Sequence, residues 1–353
     1  MKPSIQLCSD LKSADYDGIV VVACSLQDVP FDDLKLPLKA VADIDKSAES
    51  GVFVAPSSLP SKRIVFSGVG KLDRDYDDVR SYANAADKGI SRAISAGCKA
   101  PLLFFAVKDA ARFPQAGIVT VLGALQALYV PVEVREDVPS RAQKVDRIGV
   151  FGDQDKVGSK IDLAAALEAG RIVSRDIGGS DPERMAAPRV EEYVNKSFAN
   201  SGVKIEVIKG QEIFEKEYPC LAAVNRAASV IPRHDGRVIW LTYEPEDGNV
   251  EKTLFLVGKG ITYDTGGADI KAGGIMAGMS RDKCGAADVA GILKSISLIK
   301  PKGLKVVGAL CMVRNSVGEN CYVSDEIITS RAGVRIRVGN TDAEVKKFLK
   351  SWF

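Results

Sequence analysis

Four carboxylates and two lysines hold the chemistry this sequence could perform. Lys259, Asp264, Lys271 and Asp282 are strung along a glycine-rich stretch, LVGKGITYDTGGADIKAGGIMAGMSRDKCGAADVAG, at positions 256–291. Asp342 and Glu344 close the run VRIRVGNTDAE further on. Taken singly, each has an ordinary reading: Asp282 opens and caps a helix, and the lysines are solvated. Together they suggest more. The first stretch begins at the C-terminal end of an apolar strand, the edge where open α/β sheets place their sites, and its glycines let the backbone approach a ligand. Alternate residues of an extended segment point the same way, so Asp342 and Glu344 are predicted to face together. Four convergent carboxylates would repel and raise one another's pKa values. A pair of divalent cations would remove that penalty, and Mn²⁺, Mg²⁺ and Zn²⁺ all accept carboxylate oxygens. Two such ions about 4 Å apart can activate a water and stabilise an oxyanion, chemistry that serves amide and phosphate-ester hydrolysis alike.

Elements must position these groups. In the first 150 residues, GIVVVA (18–23), GVFVA (51–55), RIVFSG (63–68), LLFFAV (102–107) and RIGVFG (147–152) read as strands, with helical patterns over 76–95 and 115–128 between them. This alternation predicts an N-terminal α/β domain with a mostly parallel sheet, over 1–152. A long helix near 157–177 follows and is broken by GGSDPERMAAP, so 153–187 is expected to be a linker helix and loop. Pro188 suits the first turn of another helix, with Val190, Val194 and Phe198 on one face. The strand-like runs VIWLTY (238–243), TLFLVG (253–258) and KVVGALCMV (305–313), with a helix over 284–299, predict a second α/β domain in 188–353. Their continuous apolar character predicts strands covered on both faces.

Composition removes several classes. The chain has 353 residues, 46% apolar and 27% charged, with a net charge of +2, too small to suggest nucleic acid or a membrane surface. It carries no apolar run of membrane-spanning length and no signal-peptide pattern at its start, so a cytoplasmic address is expected. Seven scattered cysteines form no CxxC pair and are expected to be reduced thiols. The single histidine, His234, excludes HExxH and any site needing two histidines; it reads as a surface loop residue. SGVGK (67–71) lacks the P-loop spacing, because Val65 and Leu72 stand where Gly and Ser or Thr are required. No GxGxxG or GxSxG occurs at a usable place.

The order and spacing of VGKGITYDTGG, DIK, MSRDKCGAA and NTDAE closely resemble the signature of the leucyl (cytosol) aminopeptidase family. The resemblance covers about residues 150–344. It implies that Asp264 and Glu344 bridge two divalent cations, Zn²⁺, Mn²⁺ or Mg²⁺. It implies that Asp342 completes one metal site and that Lys259 and Asp282 complete the other. A lysine ligates only when neutral, so cations must push its pKa down. Lys271 would polarise the scissile carbonyl. The implied substrates are peptides with a free N-terminus, losing one apolar, leucine-like residue at a time, and the implied assembly is a homo-hexamer.

The family pattern runs NTDAEGR, and its arginine holds a bicarbonate that acts as general base. Here Val345 and Lys346 follow Glu344. Lys346 keeps the charge at the catalytic position but loses the planar fork. Family members also continue well beyond this point, so the catalytic domain is expected to be incomplete and C-terminally truncated. The tail VKKFLKSWF reads as a short amphipathic helix bearing Val345, Phe348, Leu349 and Trp352 on one face. Two alternatives stand beside the two-metal aminopeptidase: a catalytically impaired member acting as a structural or regulatory subunit with full-length relatives, and a two-metal hydrolase of another ester or phosphate.

Overall fold

The fold is described by a computed structural model covering residues 4–272 and 276–344. The tail carrying Lys346, with the helix expected there, lies outside the described residues. The chain divides into two compact units, Met1–Glu168 and Ala169–Phe353. The division falls inside α5 (Ser159–Gly179), in the region expected as the linker.

The first unit contains β1 (Ser4–Cys8), β2 (Gly18–Ala23), α1 (Asp32–Ile44), β3 (Val52–Pro56), β4 (Arg63–Gly68), α2 (Arg80–Ser95), β5 (Pro101–Phe105), α3 (Ala116–Ala127), α4 (Val132–Asp137) and β6 (Arg147–Phe151). Its sheet has the order β1-β6-β5-β2-β4-β3. All neighbours are parallel except β3, which pairs antiparallel with β4 at one edge. The apolar run of β2 is buried on both faces, as parallel strands require. Ile19 and Val21 join Leu34 and Leu38 of α1 in one core. Val20 and Val22 join Tyr82, Ala86 and Ile90 of α2 and Val121 of α3 in the other. From β2 the chain goes first to β4 on one side and later to β5 on the other, so the strand order reverses around β2.

The second unit contains α6 (Ala187–Ser197), β7 (Lys204–Lys209), α7 (Gln211–Glu217), α8 (Pro219–Asn225), β8 (Arg237–Tyr243), β9 (Val250–Asp264), α9 (Cys284–Ile299), β10 (Gly303–Asn315), β11 (Ile327–Thr329) and β12 (Arg335–Arg337). In α6, Pro188 sits in the first turn, and Val190, Val194 and the following Phe198 are buried, as the spacing predicts. The main sheet runs β7-β8-β10-β9, with β10 parallel to β9 and antiparallel to β8. Phe214, Leu221 and Val224 from α7 and α8 pack with Val238, Ile261 and Val313.

Two expectations need correction. The run TLFLVG was expected to be covered on both faces, yet Leu254 is 44% and Phe255 67% exposed. β9 lies at the end of the sheet order among the described residues, and only its last seven residues are mainly buried. A continuous apolar run records composition, not what lies beside the strand. Second, Asp342 and Glu344 do not extend a strand. β12 stops at Arg337, and residues 341–344 are largely turn.

Candidate metal centre

β9 delivers two of the six groups. Lys259 lies within the strand and Asp264 is its last residue. The first turn of α9 packs closely behind Lys259, because a Cβ at Gly258 would stand 2.7 Å from the Ala286 amide nitrogen. Only glycine permits that approach. After Asp264 the chain turns sharply through Gly266 and Gly267, both with positive φ (+89° and +67°). The turn is closed by the Lys271 amide donating to the Thr265 carbonyl at 2.9 Å, which brings Lys271 back toward the strand end. Asp282 follows the short 3₁₀ turn Met279–Arg281 and stands two residues before α9, so it does not itself open that helix.

The other two carboxylates are placed by hydrogen bonds. Asn315, the last residue of β10, is paired in register with Asp264. Its Nδ2 donates to Asp264 Oδ1 at 2.9 Å and to the Thr341 carbonyl at 3.1 Å. Asp264 Oδ1 also accepts the Gly266 amide at 3.0 Å. Thr341 is fully buried: its hydroxyl donates to the Gly266 carbonyl at 2.6 Å and accepts the Asp269 amide at 2.8 Å. The Thr341 amide donates to Asp269 Oδ2 at 2.8 Å, and the Tyr322 hydroxyl donates to the Thr341 carbonyl. This network ties the 341–344 turn to the ends of β9 and β10. Tyr322, Asn315, Asp269 and Thr341 were not singled out from the sequence. A buried asparagine ending the apolar strand GLKVVGALCMVRN was the one available signal, because a buried amide demands partners.

Oxygens of Asp264, Asp342 and Glu344 lie within 4.8 Å of one another. The Lys271 ammonium stands 3.2 Å from Asp264 Oδ2 and is paired with Asp342 Oδ1. The Lys259 ammonium is 2.7 Å from Asp282 Oδ2 and is paired with Glu344 Oε1. The six residues thus converge, the lysines alternating with the acids. Burial pulls the Lys259 ammonium down, but its bonds to Asp282 and Glu344 outweigh this and hold it above the ordinary lysine value. Lys271 is raised in the same way by Asp342 and Asp264 against its own desolvation. Burial pushes the carboxyls of Asp282 and Glu344 up, more than the Lys259 ammonium brings them down.

The donor set fits divalent cations. Four carboxyl groups against two amines leave the acids in excess by two around a fully buried Glu344. Uncompensated charge is costly there. Glu344 Oε2 is buried without a hydrogen-bond partner, an oxygen that lacks a cation or donor. All donors are oxygens or amines, a set suited to Mn²⁺, Mg²⁺ or Zn²⁺. His234 lies in the short turn Pro232–His234, where its Nε2 meets Glu183 Oε1 at 3.1 Å beside the Arg233–Glu183 ion pair.

Residues 172–348 match the cytosol aminopeptidase family, catalytic domain. A Caenorhabditis elegans protein named as an aminopeptidase is 48% identical over 300 residues, which are 84% of this chain and 56% of that protein. A Chlamydia trachomatis protein named as a cytosol aminopeptidase is 28% identical over 311 residues, 86% of this chain and 60% of its own. The chain therefore spans 56% and 60% of the lengths of these two relatives. Among solved structures, the bottromycin maturation enzyme BotP in complex with Mn superposes with a TM-score of 0.78 at 20% identity, covering 96% of this chain and 68% of that one. The apo leucyl aminopeptidase of Trypanosoma cruzi gives 0.77 at 20% identity, covering 99% and 70%. At that identity the structural likeness bears on the fold. The family match over the segment that holds all six charged groups identifies the chain as a member of the cytosol aminopeptidase family.

Proposed function

We propose that this chain is a two-metal aminopeptidase that releases N-terminal, leucine-like residues from peptides. The observation that carries the reading is the cluster of Asp264, Asp342 and Glu344 within 4.8 Å, interleaved with Lys259 and Lys271. Asp264 and Glu344 would be shared between two cations, with Asp342 completing one site and Lys259 and Asp282 the other. When bound, the cations would supply Lewis acidity toward the scissile carbonyl and a water acidic enough to attack it. Lys259 would take part as a neutral amine, giving up the proton that Asp282 and Glu344 now stabilise. Lys271 would donate to the carbonyl oxygen as charge develops there. The free α-amino group of the peptide would be held at the acidic cluster, which favours exopeptidase over internal cleavage. Lys346 would stand at the catalytic position where the family has an arginine, keeping its charge without its planar fork. In this reading residues 188–353 form the catalytic domain and 153–187 its connector.

Manganese is the first cation to test, since it accompanies the structurally similar BotP. A cytoplasmic location is part of this reading; among the described residues no helix is long and apolar enough to cross a membrane. We propose a homo-oligomer, with the hexamer as the size to seek by light scattering. The activity test is release of Leu from a chromogenic leucyl amide by purified protein with Mn²⁺ or Zn²⁺; no release with both ions bound would refute it. A second reading, a structural or regulatory subunit working with full-length relatives, draws support from Val345 and Lys346 after NTDAE, where the family pattern has Gly and Arg. Co-purification with a full-length relative, without intrinsic turnover, would favour it.

A further inference from the structure

We propose that the unit Met1–Glu168 carries a binding site of its own, for a small phosphate-bearing molecule with a ring and a hydroxyl group, the chemistry of a nucleoside monophosphate. The site is a cavity of about 600 Å³, a volume within the ordinary range for small-molecule pockets. It lies just past the C-terminal ends of β2, β4 and β5, lined by Cys24, Gly70, Lys71 and Lys108 among others. The strand order reverses around β2, and that crevice is where open α/β sheets receive ligands.

The polar groups argue for an anion. Neither the Lys71 nor the Lys108 ammonium has an ion-pair partner among the described residues. Gly70 has φ +83°, and the amides of Gly70 and Lys71 find no acceptor within the described residues. Successive free amides in such a turn form an anion-binding concavity. SGVGK therefore lacks the P-loop spacing yet offers two amides and a lysine to the cavity. Tyr82 and Phe113, whose ring centroids are 6.3 Å apart, close the floor of the cavity, Tyr82 wholly buried and Phe113 only 5% exposed, so a ligand ring would meet the Phe113 edge. The floor is anchored: the Tyr82 hydroxyl accepts the Lys108 amide at 3.4 Å and lies 3.6 Å from Cys24 Sγ.

Three acids also line the cavity. Glu49 is occupied by the Leu26 amide at 3.2 Å, and Asp109 caps the Arg112 amide at 2.9 Å. Asp73 has no partner among the described residues, so it favours a ligand that brings a donor, such as a sugar hydroxyl, along with its phosphate.

The test is calorimetric titration of the full chain, in excess EDTA, with AMP, ribose 5-phosphate and adenosine. AMP is expected to bind with a Kd of about 1 mM or tighter, adenosine about tenfold more weakly, and ribose 5-phosphate in between. Replacing both lysines, Lys71→Ala with Lys108→Ala, should weaken AMP by about tenfold or more, because charge-assisted contacts to phosphate are lost. On the unaltered chain, AMP should protect Lys71 and Lys108 from acetic anhydride, read by mass spectrometry. No heat or protection at saturating AMP, undiminished binding by the double variant, or binding that EDTA abolishes would each overturn the proposal. The outcome is independent of whether the second unit hydrolyses peptides.

Discussion

Replacing Glu344 by glutamine separates metal binding from folding. The substitution keeps the shape of a fully buried side chain and removes one unit of negative charge from the cluster. In surroundings of effective dielectric about 20, a unit charge about 4 Å from a divalent cation is worth about 8 kcal/mol. The amide oxygen and the relief of repulsion among the remaining carboxylates recover more than half of this. A net loss of about 3 kcal/mol corresponds to a roughly hundredfold drop in cation affinity. A cation at a hundred times its Kd stabilises by about 2.7 kcal/mol, which raises Tm by about 5–10 °C in a unit of this size. At the same concentration Glu344→Gln would then hold the ion near its Kd, leaving about 0.4 kcal/mol and about 1 °C. The metal-free variant should be no less stable than the parent, because burial already disfavours the charged form of Glu344 and Lys259 keeps its bond to Asp282. Scanning calorimetry with and without Mn²⁺ measures both terms. An unchanged Mn²⁺-induced rise in Glu344→Gln would refute the assignment; a large loss of metal-free stability would refute the electrostatic argument.

Asn315→Ala removes the amide that joins Asp264 to the Thr341 carbonyl, both buried, and should cost about 1–3 kcal/mol by urea unfolding while also weakening Mn²⁺ binding. Gly258→Ala would drive a Cβ to 2.7 Å from the Ala286 amide nitrogen, a backbone atom that cannot rotate away; a loss of at least about 1–3 kcal/mol is expected, and a neutral result would contradict the close packing of α9. Native protein treated with a thiol reagent should be modified at exposed Cys284 first. Cys98 and Cys311 are buried, their thiols pushed up to about 11 and about 12, and should react only after unfolding.

Much of this architecture was legible in local pattern. The runs GIVVVA and RIVFSG are β2 and β4 to the residue, and the expected helix over 284–299 is α9. Short β-branched runs between turn residues leave few other options. α1 was not marked from the sequence; it carries Pro37 inside the helix, as its sixth residue. The four-strand order of the second unit and the exposure of Leu254 and Phe255 depend on which strands become neighbours, and nothing local specifies that. The same holds at the site. Residue types and spacing named the six charged groups, but not how Asp342 and Glu344 reach β9. That work falls to Thr341, Asn315, Tyr322 and Asp269, whose roles exist only once distant segments meet. An extended segment was expected there, and a hydrogen-bonded turn achieves the same convergence.

The central claim is that Lys259, Asp264, Asp282, Asp342 and Glu344 hold two catalytic cations beside Lys271. Elemental analysis of protein dialysed against Mn²⁺ and then metal-free buffer, with leucyl amide turnover measured on the same sample, tests it most directly. The account predicts two ions per chain and release of Leu, with both reduced in Asp264→Asn. Retention of no ion by the folded parent protein, or turnover that survives in Asp264→Asn, would contradict it.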